Sequence, residues 1–167
     1  MAISTRSIGS HHSTNILNND EWLTPPSILK RLGEFDLDPC SPVDRPWNTA
    51  NKHYTKIDNG LIQEWNGRVW LNPPYGLVAA AWLDKMANHN NGIALIFART
   101  ETKMFFEFIW DKADALLFLE GRLFFYDVNG IKAKGNAGAP SVLIAYGAKN
   151  VESLKNSGIK GKFLIIK

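Results

Sequence analysis

The sequence predicts an α/β fold on a mixed sheet, with mostly parallel strands in the middle and an antiparallel hairpin at one edge. Two observations carry the parallel centre. Short apolar runs bounded by glycine, proline and asparagine read as buried strands, and amphipathic helical patterns alternate with them. A third sets the edge, because the last apolar runs follow one another closely in the sequence. At 167 residues, 45% hydrophobic and 21% charged, the chain has the length and composition for one substantial core. Residues 1–19, rich in Ser, His and Asn, read as a flexible polar arm. Residues 20–167 read as a single domain.

Along that domain, "DEWLTPPSILKRLGEF" predicts a short helix opened by Pro25 and Pro26, with Thr24 as its N-cap and Gly33 as its stop. "FDLD" is a short strand ended by Pro39. From Ser41 to Trp65 the chain is irregular, with prolines, asparagines and a "DNG" turn. "RVWLN" is the next strand, and "LVAAAWLDKMANHN" a helix with Trp82, Leu83 and Met86 on one face. "GIALIFA" is a buried strand, "ETKMFFEFIWDKA" a second amphipathic helix, and "ALLFLEGRLFFY" one long strand or two short ones. "DVNGIKAKGNAGA" is a long loop, after which "PSVLIAYG" and "GKFLIIK" close the chain as strands.

Several function classes are set aside at this level. Cys40 is the single cysteine, so no intrachain disulfide or cysteine-rich zinc site is expected. The histidines, His11, His12, His53 and His89, lack the paired spacing of a metal centre, and no metal is expected. No apolar stretch approaches membrane-spanning length and no signal-peptide core opens the chain, so a reducing cytoplasm is the expected compartment. The net charge of +3 permits an anionic partner without pointing to one.

The chemistry is carried by "RVWLNPPYGL". An apolar strand runs into Asn72-Pro73-Pro74-Tyr75, where neither proline has a backbone N–H and each holds the residue before it extended. The Asn72 side chain and the Pro73 carbonyl then form two acceptors fixed in direction, and Tyr75 offers a flat face for a planar ring. Such a set suits a conjugated exocyclic amine, a poor nucleophile because its lone pair is delocalised into the ring. Acceptors on its protons favour a tetrahedral nitrogen and free the lone pair. In an open α/β sheet, ligands bind beyond the carboxyl ends of the strands. If "FDLD" and "RVWLN" are neighbours, Asp38 and Asn72 share one crevice. The plain alternative for the motif is a strand terminator followed by a turn.

Taken in order, "EWLTPPSIL", "FDLDPCSP", "DNGL" and "NPPYG", with the later "ART" and "GRLFF", resemble the phage-type DNA N-6-adenine methyltransferase (Dam) family over roughly Asp20 to Gly147. The resemblance implies a Rossmann-like methyltransferase fold, trimmed between the first two strand-end motifs. It implies S-adenosylmethionine as cofactor and adenine in double-stranded DNA as substrate, the base flipped out of the helix. It further implies a phage or prophage gene product working in a bacterial host. Asn72, Pro73, Pro74 and Tyr75 match the catalytic motif. Asp38, Pro39 and Cys40 occupy the first cofactor-binding motif, and Thr24 and Pro25 match the element closing over the methionine end of the cofactor.

Three further sets of residues complete the expectations. Asp58 is a candidate for the cofactor's adenosine, with a turn residue as the competing reading. Arg99, Arg122, Lys132 and Lys134 are candidates for DNA phosphates. Pro39-Cys40-Ser41-Pro42 lacks the glycine-rich turn of many methyltransferases, which keeps open a nucleic-acid- or cofactor-binding module without catalysis. Because Asn-Pro-Pro-Tyr also serves glutamine and RNA methyltransferases, RNA or protein remains the other substrate reading.

Overall fold

A computed structural model describes residues 21–167; the arm expected over residues 1–19 lies outside them. The elements in order are α1 (Pro26–Leu32), β1 (Leu37–Asp38), β2 (Lys52–His53), β3 (Val69–Leu71), α2 (Ala79–His89), β4 (Gly92–Phe97), α3 (Lys103–Phe105), β5 (Ala115–Leu119), β6 (Ser141–Tyr146), α4 (Ala148–Asn156) and β7 (Gly161–Ile165). A π-helical turn, Phe106–Trp110, continues α3 and closes with the Asp111 N–H donating to the Phe106 carbonyl at 3.1 Å.

The strands form one sheet in the order β2-β1-β3-β4-β6-β5-β7. β2, β1, β3 and β4 are mutually parallel, and β6 runs against both β4 and β5. The expected parallel centre is therefore present, beside an antiparallel half. The edge pair differs from the expected hairpin of consecutive strands: β7 pairs with β5. The cause is α4, a helix missing from the sequence reading, which carries the chain from β6 past β5 to the edge. Its pattern is short and mostly polar, and of its residues Asn150 and Leu154 are buried.

Alternation along the strands divides the core into two layers. Val69, Leu71, Ala94, Ile96, Ile144 and Tyr146 face α2 and the α3 turn, where Trp82, Leu83, Met86, Phe105 and Ile109 pack against them. Trp70, Ile93, Leu95, Leu117 and Leu143 face the other way, under Leu29 and Leu32 of α1 and Leu154 of α4. At the amino end of β3, Arg68 ties the second layer together. Its guanidinium donates to the Leu32 and Glu34 carbonyls at 2.9 and 2.8 Å, and to Asn150 and Ser153 at 2.7 and 2.9 Å. One arginine thus satisfies carbonyls left over at the end of α1 while anchoring α4.

Two local expectations are corrected. Thr24 does not cap α1: Pro25 holds that position without a side-chain bond, and the Thr24 hydroxyl is buried with no partner among the described residues. The segment read as a second full helix is a short α-turn followed by the π-turn, with the Thr102 hydroxyl accepting the Phe105 N–H at 3.3 Å. Between β1 and β3 the described residues hold the two-residue β2 and no helix.

Candidate active site

The chain leaves β1 toward β2 on one side and later returns to place β3 on the other, so the strand order reverses between β1 and β3. The carboxyl ends of strands on either side of such a reversal leave a crevice, because their connections depart in opposite directions. Here that crevice is a cavity of about 300 Å³. One wall is the segment after β3, Asn72 to Tyr75; another is the loop after β1, Pro39 to Pro42. Thr55, Asn59 and Gly60 from the turn after β2 face them, and the Trp82 ring of α2 joins the lining.

Asn72 is held by one contact. Its amide nitrogen donates to the Trp22 carbonyl at 3.0 Å, which turns the amide oxygen the opposite way. Among the described residues no donor meets that oxygen or the Pro73 carbonyl. Pro73 is buried and Pro74 exposed, so the dipeptide is clamped from one side. Tyr75 lies flat on Phe97 at the end of β4, ring centroids 4.2 Å apart and planes 8° from parallel. One face of its ring is thus occupied by the protein, and 41% of the residue is exposed.

Asp38 sits at the end of β1 beneath the cavity, buried, and is not part of its lining. One carboxylate oxygen accepts the Cys40 N–H at 3.0 Å and the other accepts the Thr49 hydroxyl. Burial pushes its carboxyl up to about 6, against those two hydrogen bonds and the Arg45 charge. Its side chain shapes the Pro39–Pro42 loop, and the cavity meets Pro39 and Cys40. The Cys40 thiol is pushed up by burial and then by the Asp38 and Glu21 charges, which disfavours its thiolate form. Asp58 is exposed and accepts both the N–H and the hydroxyl of Thr55, at 2.8 and 2.9 Å; it fastens the turn whose neighbours line the cavity. Gly60 closes this corner, since a Cβ there would collide with the Pro39 carbonyl oxygen.

Residues that the sequence reading did not name as site residues supply the cavity's charges. Glu21 and Lys56 both line it and pair at 3.6 Å. Trp22, Ser41 and Pro42 also reach it, while Thr24 and Pro25 do not. The signal was proximity: Glu21 and Trp22 open the "EWLTPP" block, and Ser41-Pro42 follows "DPC". Among the described residues no cluster of metal-ligating side chains occurs, and no helix is long and apolar enough to cross a membrane.

The basic candidates emerge at the same end of the sheet. Arg99 follows β4, and the segment from Glu120 to Pro140 joins the carboxyl end of β5 to the start of β6. That segment carries Arg122, Lys132 and Lys134, all exposed, with the Lys132 ammonium 4.7 Å above the Phe124 ring. It is also stitched to the Asn72 support: Leu23 and Tyr126 exchange backbone hydrogen bonds at 2.8 and 2.9 Å, next to Trp22.

His53 gives the Thr49–Ala50 segment, whose Thr49 hydroxyl meets Asp38, a pH dependence. Its ring nitrogen accepts the N–H groups of Thr49 and Ala50 at 3.2 and 3.3 Å. Burial and then the Arg45 charge lower its pKa to about 4. The folded value lies below the unfolded one, so its contribution is complete above about 6.5 and is lost as pH falls toward 4. The protection factors of the Thr49 and Ala50 amides should therefore fall over that window. His53→Gln should flatten the fall, although Asp38 titrates in the opposite sense nearby.

No curated protein and no solved structure matches this chain. A family model does, over residues 11–157, most of the chain and all of the cavity-lining segments. By that match the chain belongs to the DNA N-6-adenine-methyltransferase (Dam) family.

Proposed function

We propose that the chain transfers a methyl group from S-adenosylmethionine to the exocyclic amine of adenine in double-stranded DNA, the base being turned out of the duplex into the cavity mouth. The orientation of Asn72 carries the reading: its amide nitrogen is committed to Trp22, which leaves the amide oxygen and the Pro73 carbonyl as two unshared acceptors beside Tyr75. Two acceptors on the amine protons pull the nitrogen toward a tetrahedral form and localise its lone pair. The outer face of Tyr75 stacks the base ring. Base extraction suits a protein with basic side chains at the same edge, because Arg99, Arg122, Lys132 and Lys134 hold phosphates while the base is displaced.

The cavity fits the cofactor. Pro39, Pro42 and Trp82 give walls for its adenine, and the Glu21–Lys56 pair offers both signs of charge for its zwitterionic amino-acid end. When bound, S-adenosylmethionine supplies an electrophilic methyl group. Asp38 and Asp58 act as positioning residues, shaping the two loops that receive it. Thr24 and Pro25 connect the cavity-lining Glu21–Trp22 segment to α1. On this reading the fold is a Rossmann-like methyltransferase reduced in the β1–β3 connection, and the protein is a phage or prophage gene product working in the cytoplasm of a bacterial host.

Purified protein incubated with labelled S-adenosylmethionine and unmethylated DNA should label the DNA, recovered as N6-methyladenine. Label on RNA or protein alone would overturn the DNA assignment and keep the chemistry. Cofactor binding with no methylated product would assign a binding module.

A further inference from the structure

Leu77 is 98% exposed, the most exposed large hydrophobic residue among those described. It is the second residue after the Asn72–Tyr75 tetrapeptide, and Val78 beside it is 54% exposed. The apolar face of α2 is made by Ala79, Trp82, Leu83 and Met86, so neither side chain belongs to the core. Gly76 sets Leu77 apart from Tyr75: it takes a φ of +95°, with open space where a side chain would be. That backbone turns the chain sharply after the tyrosine and leaves the leucine standing free in solvent, two residues beyond the cavity-lining Tyr75. A single exposed leucine is ordinary on a protein surface, but Leu77 stands in a run of exposed apolar residues, with Val78 after it and Pro74 and Tyr75 before it. Such a contiguous stretch marks a contact surface.

We infer that Leu77 is a wedge that enters the base stack of duplex DNA at the position vacated by the target adenine, an inference that rests on the methyltransferase reading above. A flipped base leaves a gap roughly one stacking step thick, about 3.4 Å, walled by apolar base faces. An aliphatic side chain fills such a gap and holds it open, as apolar wedges do between base steps elsewhere. The placement agrees with the rest of the edge. Tyr75, two residues away, receives the displaced base, while Arg99 and the Arg122–Lys134 segment stand at the same sheet end to grip the flanking phosphates. Ile57 and Ile62 are also exposed, at 78% and 76%, but they belong to the turn after β2, on the opposite wall from the Asn72–Tyr75 motif.

The test uses duplexes built around a sequence that the wild-type protein methylates, with the target adenine either paired to thymine or opposite an abasic site. Leu77→Ala should lose about tenfold or more in methylation rate on the paired duplex and less than about twofold on the abasic one, where no pairing or partner stacking opposes extraction. Leu77→Met should restore the paired rate, and Ile57→Ala should leave both rates unchanged. Without cofactor, 2-aminopurine at the target position should brighten on binding wild-type protein and brighten less with Leu77→Ala. Equal losses on both duplexes, or no loss on either, overturn the wedge and leave the methyltransferase standing. Failure of wild-type protein to methylate any DNA overturns both.

Discussion

Asn72→Ala should lower methyl transfer to DNA by about two to three orders of magnitude, as removal of one preorganised polar contact to a developing charge does in other active sites. The protein should remain folded, because Asn72 is half-exposed and its side chain makes one hydrogen bond, to Trp22. Asn72→Asp is the sharper variant. It keeps an acceptor for the amine but loses the N–H that meets the Trp22 carbonyl, setting two oxygens against each other. Its rate should fall between those of wild type and alanine. Single-turnover methylation separates the three, with thermal melts as the check on folding. An alanine variant within about threefold of wild type would remove Asn72 from the chemistry.

The largest effect on stability should come from Trp70→Ala, at about 4 kcal/mol. Trp70 is 1% exposed, packs on the Phe35 ring at 5.5 Å, and fills the layer between β3 and α1. That loss is a large share of the 5–15 kcal/mol typical of a domain. Urea unfolding should show the midpoint fall with little change in slope. Because Asn72 directly follows β3, activity should decline steeply with temperature in this variant while remaining measurable in the cold. A loss of activity at all temperatures with unchanged stability would contradict the packing role.

The sequence was most legible where local chemistry dominates. The alternation of glycine-bounded apolar runs with amphipathic stretches marks β3, β4, β6 and α2, since burial of one face fixes the period. The prolines after β3 mark the proposed catalytic motif for the same local reason. Less legible were β2, two residues held by pairing to β1, and α4, whose polar pattern becomes helical by lying on β6 and by the Arg68 contact to Asn150. The π-turn at Phe106–Trp110 was equally hidden, because its register is chosen by packing Phe105 and Ile109 into the core.

Asp38 shows the same division within the site. Its identity and its place at a strand end are read from "FDLDPC", and the strand neighbour that would bring it beside Asn72 is β3, as found. The direction of its carboxylate depends on Thr49, eleven residues on, and on the Cys40 N–H, so its place below the cavity is a tertiary fact. Likewise Glu21 and Lys56 meet across the cavity from distant positions in the chain. By itself the sequence determined the α/β class, the rigid pair of acceptors in Asn72-Pro73 and the ring of Tyr75, because periodicity and proline geometry act within a few residues. Only the tertiary structure decided which strands flank the crevice, that Trp22 aims the Asn72 amide, and that Leu77 stands free, because those outcomes rest on contacts between segments that no local pattern records.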